Sequence, residues 1–370
     1  MNILLFEWLV GGGLRAEGIV PPVDFFQSVS RLSDPTAVGT DEPDIEMFLR
    51  QGSAMVLAVA EDMVQAGHHV VLPIDASFHV GASSAGLPGL EIADTVSLIP
   101  IGSELNSPDA LRKHLVKLAA DVDAVLVIAP ETDGCLATAV QWFESTNKRP
   151  SICAPSLISP GLDFVRLASD KQAIKDWLRQ RQFGELAEDW SVDAFSELVD
   201  LNEATWPVVA KPIDGAGSES VQLIATEIEW RTWLERPESS QSHRRLFIER
   251  FVHGIPVSVS VIAAGSKPAH FLPPTGQIFD AEPLGHYVRA QWPLAPELTN
   301  AAATFAQQVV SHLPSTHGYF GIDMIISHTD SGNAPVATLI EINPRITMSY
   351  VRLRELVDEN LAVQMLRNID

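Results

Sequence analysis

Near the end of the chain stands the segment Leu339-Ile340-Glu341-Ile342-Asn343-Pro344-Arg345, a short apolar run that ends at a proline followed by an arginine. Strand side chains alternate between two faces, so Glu341 and Asn343 should point the same way. Oxygen ligands grouped on one face suit Mg²⁺, which proteins usually share with substrate phosphates. Arg345 offers a planar fork for phosphate or carboxylate oxygens. The segment therefore predicts half of a nucleotide-metal site.

A second apolar run with one acidic residue lies upstream, at residues 320–326, and a polar loop at 328–335 separates the two runs. Such a loop is typical of a connection between antiparallel strands. The hairpin would set Asp323 opposite Glu341, where two carboxylates repel each other unless a cation bridges them. A slip in register would separate them, and either acid alone could be a solvated position. Both acids lie inside apolar strands, which favours the metal site.

The composition limits the class of protein. The chain has 370 residues, enough for two or three domains, with 46% hydrophobic and 19% charged residues. A formal charge of −22 argues against a nucleic-acid partner. Two cysteines are too few for a disulfide framework and indicate a reducing, cytoplasmic location. No apolar run has membrane-spanning length, so we expect no membrane partner.

The order of predicted elements divides the chain into two parts. Residues 1–165 alternate strands and helices, which predicts a small open α/β domain. After about residue 165, hairpin-like strand pairs and helices follow, which indicates a change of architecture. Ser169-Asp170 is a plausible N-cap for the first helix of this second part.

Two lysines are candidate phosphate ligands. Lys211 ends a predicted strand, and a loop with the residues Gly215, Ala216, Gly217 and Ser218 follows. Glycines allow backbone N–H groups to approach phosphate oxygens, although a simple hairpin turn has the same composition. Lys171 lies in the first turn of a predicted helix, where the helix dipole disfavours a cation. A bound anion would explain that position, and so would an exposed, mobile lysine.

The segment Glu249-Arg250-Phe251-Val252 ends another predicted strand. Its backbone could offer hydrogen bonds to an adenine edge, with Phe251 or Val252 against the ring. The glycines at 11–13 do not form a GxGxxG pattern, so we do not expect a dinucleotide site there.

Taken together, these motifs resemble the ATP-grasp superfamily over residues 170–345. The motifs, in chain order, are Asp170-Lys171, Lys211 with its glycine loop, Glu249-x-Phe251-Val252-x-Gly254, Asp323, and Glu341-x-Asn343-Pro344-Arg345. One departure concerns residues 254–257, which lack the acid that such proteins usually place on the ribose. This departure puts tight ATP binding in question more than it does the fold.

The resemblance implies a pre-ATP-grasp domain in residues 1–165, an α+β central subdomain in 166–250 and an α+β C-terminal subdomain with the metal site in 251–370. It implies ATP and Mg²⁺ or Mn²⁺ as cofactors, with Lys211 and Arg345 as catalytic residues. The implied phosphate and adenine ligands are Lys171, Lys211, Gly215, Ala216, Gly217, Ser218, Glu249, Arg250, Phe251 and Val252. The implied metal ligands are Asp323, Glu341 and Asn343.

A closer resemblance is to the tyramine–glutamate ligase family of methanofuran biosynthesis. It rests on Phe6-Glu7-Trp8 and the glycines after it, Glu17-Gly18-Ile19, Ile128-Ala129-Pro130-Glu131, and residues 340–347. It implies amide formation between the γ-carboxylate of glutamate and tyramine, or tyrosine in bacterial relatives. We therefore expect an ATP-dependent carboxylate–amine ligase that acts on small molecules through an acyl phosphate, in a chain that could form a homodimer.

Two alternatives stay open at this point: a ligase for another amino acid or a peptide, and a degenerate nucleotide-binding regulatory protein. Substrate contacts are expected from polar residues that follow predicted strands of the first domain or border the cleft. These candidates are Glu7, Arg15, Glu17, Glu131, Gln277 and Arg289. Each of them could equally be an ordinary polar residue of a loop.

Overall fold

A computed structural model of the chain describes most of its length. The described ranges are 1–19, 44–78, 95–144, 155–192, 206–217, 220–234, 245–281, 285–327 and 334–367. Ser218, a candidate phosphate ligand, lies outside them. Three sheets organise the described residues, which confirms the predicted fold class of an open α/β domain followed by α+β structure.

The first sheet is parallel and has the strand order β3-β2-β1-β4-β5. Its strands are β1 (Asn2–Glu7), β2 (His69–Asp75), β3 (Val96–Ile101), β4 (Ala124–Ile128) and β5 (Ser156–Leu157). The side chains of β4 are buried throughout, as expected for a strand with both faces covered. The carboxyl ends of β1, β2 and β4 therefore lie along one edge, where α/β sheets place ligands.

Helices cover both faces of this sheet. They are α1 (Gly13–Ala16), α2 (Asp44–Gln65), α3 (Pro108–Ala119), α4 (Cys135–Glu144) and α5 (Leu162–Ser169). One face packs on α2 through residues such as Val56 and Val59, and the other face packs on α3 and α4. Ser107 caps α3 by accepting a hydrogen bond from the backbone N–H of Ala110, and a proline fills the first helical position.

The second sheet is antiparallel, with the order β6-β9-β7-β8. Its strands are β6 (Asp189–Val192), β7 (Val208–Pro212), β8 (Gln222–Ile224) and β9 (Leu246–Arg250), and its helices are α6 (Lys171–Gln180) and α7 (Glu227–Leu234). Asp170 caps α6 by accepting hydrogen bonds from the backbone N–H groups of Gln172 and Ala173, which confirms the predicted helix start.

The third sheet has the order β13-β12-β10-β14-β15, and β11 pairs with β10. These strands are β10 (Ile255–Ala264), β11 (Lys267–Phe271), β12 (Thr275–Phe279), β13 (Tyr287–Gln291), β14 (His317–Ser327) and β15 (Val336–Asn343). One face packs on α8 (Pro296–His312) through Phe305 and Val309. The alternate residues of β10 and β14, including Ser258 and Asp323, point to the opposite face.

The chain end returns to the first sheet. The apolar pattern after residue 349 predicts one helix to about residue 368, but the structure has two, α9 (Ser349–Leu356) and α10 (Leu361–Leu366). Asn360 starts α10 by accepting a hydrogen bond from the backbone N–H of Val363. Both helices share a core with α2, so the end of the predicted last subdomain packs on the first domain. None of the described helices is long and apolar enough to span a bilayer.

A polar network fixes this contact. The buried Asp62 of α2 accepts hydrogen bonds from the hydroxyl of Tyr350 at 2.7 Å and from Nε of Arg354 at 2.8 Å. Because Arg354 is only 17% exposed, its removal would leave a buried carboxylate with less compensation.

Arg354→Ala should therefore lower the free energy of unfolding by about 3 kcal/mol in chemical denaturation. Arg352→Ala is the matched control on the same helix, because Arg352 and its partner Glu355 are 50% and 55% exposed. This control substitution should lower the free energy of unfolding by about 0.5 kcal/mol or less. Equal losses for the two variants would contradict a buried anchor at Asp62.

Candidate active site

The acidic pair predicted from the hairpin is present on β14 and β15. Asp323 pairs with Glu341 across the two strands, and Gly321 pairs with Asn343, with a bulge directly after Asp323. The side-chain amide of Asn343 donates to Oδ2 of Asp323 at 3.0 Å. The three oxygen-bearing side chains therefore converge on one face of the third sheet.

The surroundings act differently on the two carboxyl groups. Burial and the nearby Glu341 raise the pKa of Asp323 to about 6, against smaller opposing effects of hydrogen bonds from Ser258, Gln277 and Asn343. Burial also opposes the ionisation of Glu341. Nearby cations, chiefly Lys171, outweigh that burial and hold the pKa of Glu341 below its usual value. Two facing acids are thus kept together by positive charge around one of them.

The same residues fit a hard divalent cation. Oδ1 of Asp323 is buried and accepts no hydrogen bond from the described residues. Carboxylate and carboxamide oxygens are the ligand types that Mg²⁺ and Mn²⁺ prefer. A cation between Asp323 and Glu341 would satisfy the free oxygen and remove the repulsion between the acids.

Lys171 links this acidic pair to the glycine loop. Its Nζ lies 3.5 Å from Oε2 of Glu341 and donates to the backbone carbonyl of Gly215 at 2.7 Å. Its side chain is only 7% exposed, so the alternative of an exposed, mobile lysine is wrong. The first turn of α6 thus places a buried cation beside the predicted metal ligands.

Lys211 takes part in a buried triad. One oxygen of Glu249 accepts a hydrogen bond from Lys211 and the other accepts one from Lys175, each at 2.5 Å. Burial opposes the ionisation of Glu249, but the two lysines outweigh it and lower its pKa to about 2. The ring of Phe247 lies 4.9 Å from Nζ of Lys175 and 5.6 Å from Nζ of Lys211.

The motifs did not single out Lys175. A usable signal exists, because Lys175 falls between Ile174 and Leu178 on the buried side of α6, where a lysine needs a partner. Its partner on β9 is distant in sequence and cannot be inferred from helical spacing.

The predicted adenine segment is partly occupied by protein contacts. The backbone N–H of Arg250 donates to the carbonyl of Glu188 at 2.8 Å, and that of Phe251 donates to the carbonyl of Pro207 at 3.0 Å. These two N–H groups are therefore not available to an adenine edge here. The Arg250 side chain pairs with Glu188 at 2.9 Å, and Phe251 packs edge-on against His253. Val252 follows them and is half-buried.

The glycine loop contacts the first domain. The backbone N–H of Ala216 donates to the hydroxyl of Thr132 at 3.3 Å, and that of Asp133 donates to the Asp214 carboxylate at 3.0 Å. Gly217 has a φ of 63°, and a Cβ there would lie 2.6 Å from the ring of Phe48. Glycine is therefore required at this position.

Arg345 also reaches the first domain. Its Nε donates to Oε2 of Glu131 at 2.9 Å, and Nη1 donates to the carbonyl of Ile346 at 3.3 Å. Glu131 follows β4, so the carboxyl edge of the first sheet orients the arginine that follows β15.

Sequence comparison with family models agrees with this geometry. Residues 168–349 match an ATP-grasp domain (ATP-grasp_3), and residues 85–156 match a pre-ATP-grasp domain (preATP-grasp_3). The chain contains an ATP-grasp domain preceded by a pre-ATP-grasp domain. No functionally curated protein matches the sequence.

Several solved structures share the fold at low identity. The biotin carboxylase of Campylobacter jejuni has a TM-score of 0.64 at 15% identity, over 86% of this chain and 68% of that one. The L-amino acid ligase of Bacillus licheniformis has a TM-score of 0.60 at 17% identity, over 86% and 72%. The D-alanine–D-alanine ligase of Bacillus anthracis has a TM-score of 0.53 at 14% identity, over 99% of both chains. Such identities establish the fold alone.

A small cavity lies between the first domain and the ATP-grasp domain. It has a volume of about 40 Å³, and its walls include Glu7, Phe48, Gly217 and Arg345. Oε2 of Glu7 accepts a hydrogen bond from the backbone N–H of Val10 at 2.6 Å. The backbone of α2 lies against Oε1, since a Cβ on Gly52 would be 2.7 Å away. Burial raises the pKa of Glu7 to about 7.

The other substrate candidates do not all lie with the residues of the site. Gln277 lies close enough to Asp323 to lower the pKa of that carboxyl group. Arg289 pairs with Ile278, the neighbour of Gln277 on β12, so it lies on the opposite face and is exposed.

In the first domain, Arg15 is held by two hydrogen bonds to Asp75, at 2.8 and 2.6 Å. Glu17 is exposed and accepts a hydrogen bond from Sγ of Cys135 at 3.4 Å. The structure therefore groups Glu7, Glu131 and Gln277 with the ATP-grasp residues, but not Arg289.

Glu7→Gln should alter how stability depends on pH. Folded Glu7 holds its proton up to about pH 7, whereas a carboxyl group with the unfolded value of 4.5 loses it earlier. Wild-type stability should therefore fall as the pH rises between these values, and the variant should lack this loss. Above pH 7 the variant should be more stable by about 3 kcal/mol, measured by chemical denaturation across the pH range.

Glu17→Gln serves as the control, because it makes the same chemical change at an exposed side chain and should keep the wild-type dependence of stability on pH. A constant difference between Glu7→Gln and wild type at every pH would refute the proposed state of Glu7.

Proposed function

We propose that the chain is an ATP-dependent carboxylate–amine ligase that joins the γ-carboxylate of glutamate to the amine of tyramine or tyrosine. The ATP-grasp domain makes the chain an ATP-dependent enzyme. One observation supports the ligase chemistry most directly: Arg345 lines the same cavity as the buried carboxyl group of Glu7 and lies close enough to Glu341 to lower the pKa of that acid.

In the proposed reaction, the substrate carboxylate attacks the γ-phosphorus of ATP, and ADP leaves. The amine then attacks the acyl carbon of the acyl phosphate, phosphate leaves, and an amide remains. Lys171 and Lys211 would hold the phosphates, and Arg345 would stabilise the charge on the phosphoryl oxygens. Mg²⁺ held by Asp323, Glu341 and Asn343 would supply further charge neutralisation. No side-chain nucleophile is required.

The amine must lose a proton to become a nucleophile and again as the amide forms. Glu7 is suited to accept one, because its pKa of about 7 lies near neutrality and its carboxyl group lines the cavity. Glu131 would keep Arg345 oriented toward this cavity through their 2.9 Å contact. Both acids could also attract the ammonium form of an amine before it reacts.

The choice of glutamate with tyramine or tyrosine, and with it a place in methanofuran-type cofactor biosynthesis, rests on the short motifs around Glu7, Glu17 and Glu131 and on residues 340–347. A different amino acid or a peptide would use the same chemistry. A degenerate regulatory protein would not need buried lysines at 171 and 211 beside an intact acidic pair. Their geometry therefore favours an enzyme.

Arg345→Ala and Glu341→Gln should each lower amine-dependent ADP release by about 100-fold or more, because each removes charge that stabilises the transferred phosphoryl group. ADP release is measured with glutamate and tyramine, with glutamate and tyrosine, and with a panel of other amino acids and amines. Arg352→Ala is the control for a distant surface arginine and should behave as wild type.

Near-wild-type turnover of either site variant would refute the ligase assignment. A response to a different carboxylate–amine pair, with none to glutamate, would keep the ligase chemistry and refute the proposed substrates.

A further inference from the structure

Lys175 is a buried charged residue of the site that the proposed reaction does not use. Its side chain is 1% exposed, although a lysine is almost never fully buried without a partner. It lies one helical turn after Lys171, on the side of α6 that faces the second sheet. A buried ammonium group is costly to desolvate, so its contacts should indicate what it does.

Two acids and two further cations form the surroundings of Lys175. Its Nζ lies 2.5 Å from Oε2 of Glu249 and 3.9 Å from Oδ2 of Asp189. Asp189 has a second cation in Arg179, which contacts the same oxygen. Lys211 contacts the other oxygen of Glu249.

The charges can be counted pair by pair. Arg179 balances Asp189, and Lys175 balances Glu249. Neither of these two acids then balances the charge of Lys211, which Glu341 also attracts. Without the charge of Lys175, Glu249 would have Lys211 as its remaining close cation, and the pair would be neutral.

We propose that Lys175 is a positioning residue that neutralises Glu249 and so keeps the positive charge of Lys211 available to nucleotide phosphates. This inference rests on the nucleotide site of the proposed function, but not on the identity of the substrates. Lys175 acts through Glu249 and touches no substrate. Its loss should therefore weaken the binding of phosphates and spare the binding of the nucleoside.

The test measures the dissociation constants of adenosine, AMP, ADP and ATP by calorimetry at one fixed Mg²⁺ concentration. Lys175→Met removes the charge and keeps a similar shape. The gain in affinity from adenosine to ATP is the dissociation constant of adenosine divided by that of ATP. In Lys175→Met this ratio should fall about tenfold, as expected for the loss of one charged hydrogen-bonding contact. Adenosine itself should bind as it does to wild type. Lys175→Arg keeps the charge and should retain most of the gain.

The double variant Lys175→Met, Glu249→Gln separates a charge effect from damage to the fold. It removes the acid together with the cation that balances it, so Lys211 regains its uncompensated charge. The gain from adenosine to ATP should then recover toward the wild-type value. Lys113→Met, a change at a side chain that is 69% exposed, is the control for loss of a remote lysine.

Equal losses for adenosine and ATP in Lys175→Met would overturn the proposal, and so would a double variant that binds ATP no better than Lys175→Met. If Lys175→Met alone fails to fold, the gain in affinity of the double variant, compared with that of wild type, still tests the proposal. A wild-type protein that does not bind ATP would overturn this inference and the proposed function together. A wild-type protein that binds ATP but shows no amine-dependent ADP release would overturn the ligase function alone.

Discussion

The structure of the site depends on the repulsion between two partly buried acids on neighbouring strands. Asp323 and Glu341 face each other across the hairpin, and burial makes their repulsion stronger than it would be in water. The sequence around them supplies compensating charge from separate elements, with Lys171 on α6, Lys211 on β7 and Arg345 after β15. A divalent cation would complete this balance, which ties metal binding to the nucleotide phosphates that the lysines are expected to hold.

The first domain takes part in this arrangement through one short turn. Glu131 contacts Arg345, Thr132 accepts a hydrogen bond from the glycine loop, and Asp133 donates one to it. Three consecutive residues thus contact both Arg345 and the glycine loop, which belong to the predicted phosphate site. The helices at the chain end also pack on α2, so the ATP-grasp domain is held to the first domain at two places. Contacts of this kind would let a substrate in the first domain influence the phosphate site.

Local sequence patterns predicted the parts of the site that lie within one hairpin or one helix turn. Strand alternation and the polar loop gave the pairing of Asp323 with Glu341, and Asp170 gave the start of α6. Contacts between distant segments were out of reach, because helical spacing does not reveal that Lys175 meets Glu249. The face of Arg289 was missed for a related reason: it depends on strand register in β12 and β13, which the sequence leaves open.

The central claim, that ATP activates a carboxylate as an acyl phosphate, has a direct isotopic test. Glutamate labelled with ¹⁸O in its γ-carboxylate is incubated with the enzyme, ATP, Mg²⁺ and tyramine or tyrosine, and the released phosphate is analysed by mass spectrometry. Attack of the carboxylate on the γ-phosphorus predicts one ¹⁸O atom in the phosphate for each amide formed. Phosphate that takes its new oxygen from water alone would contradict the account.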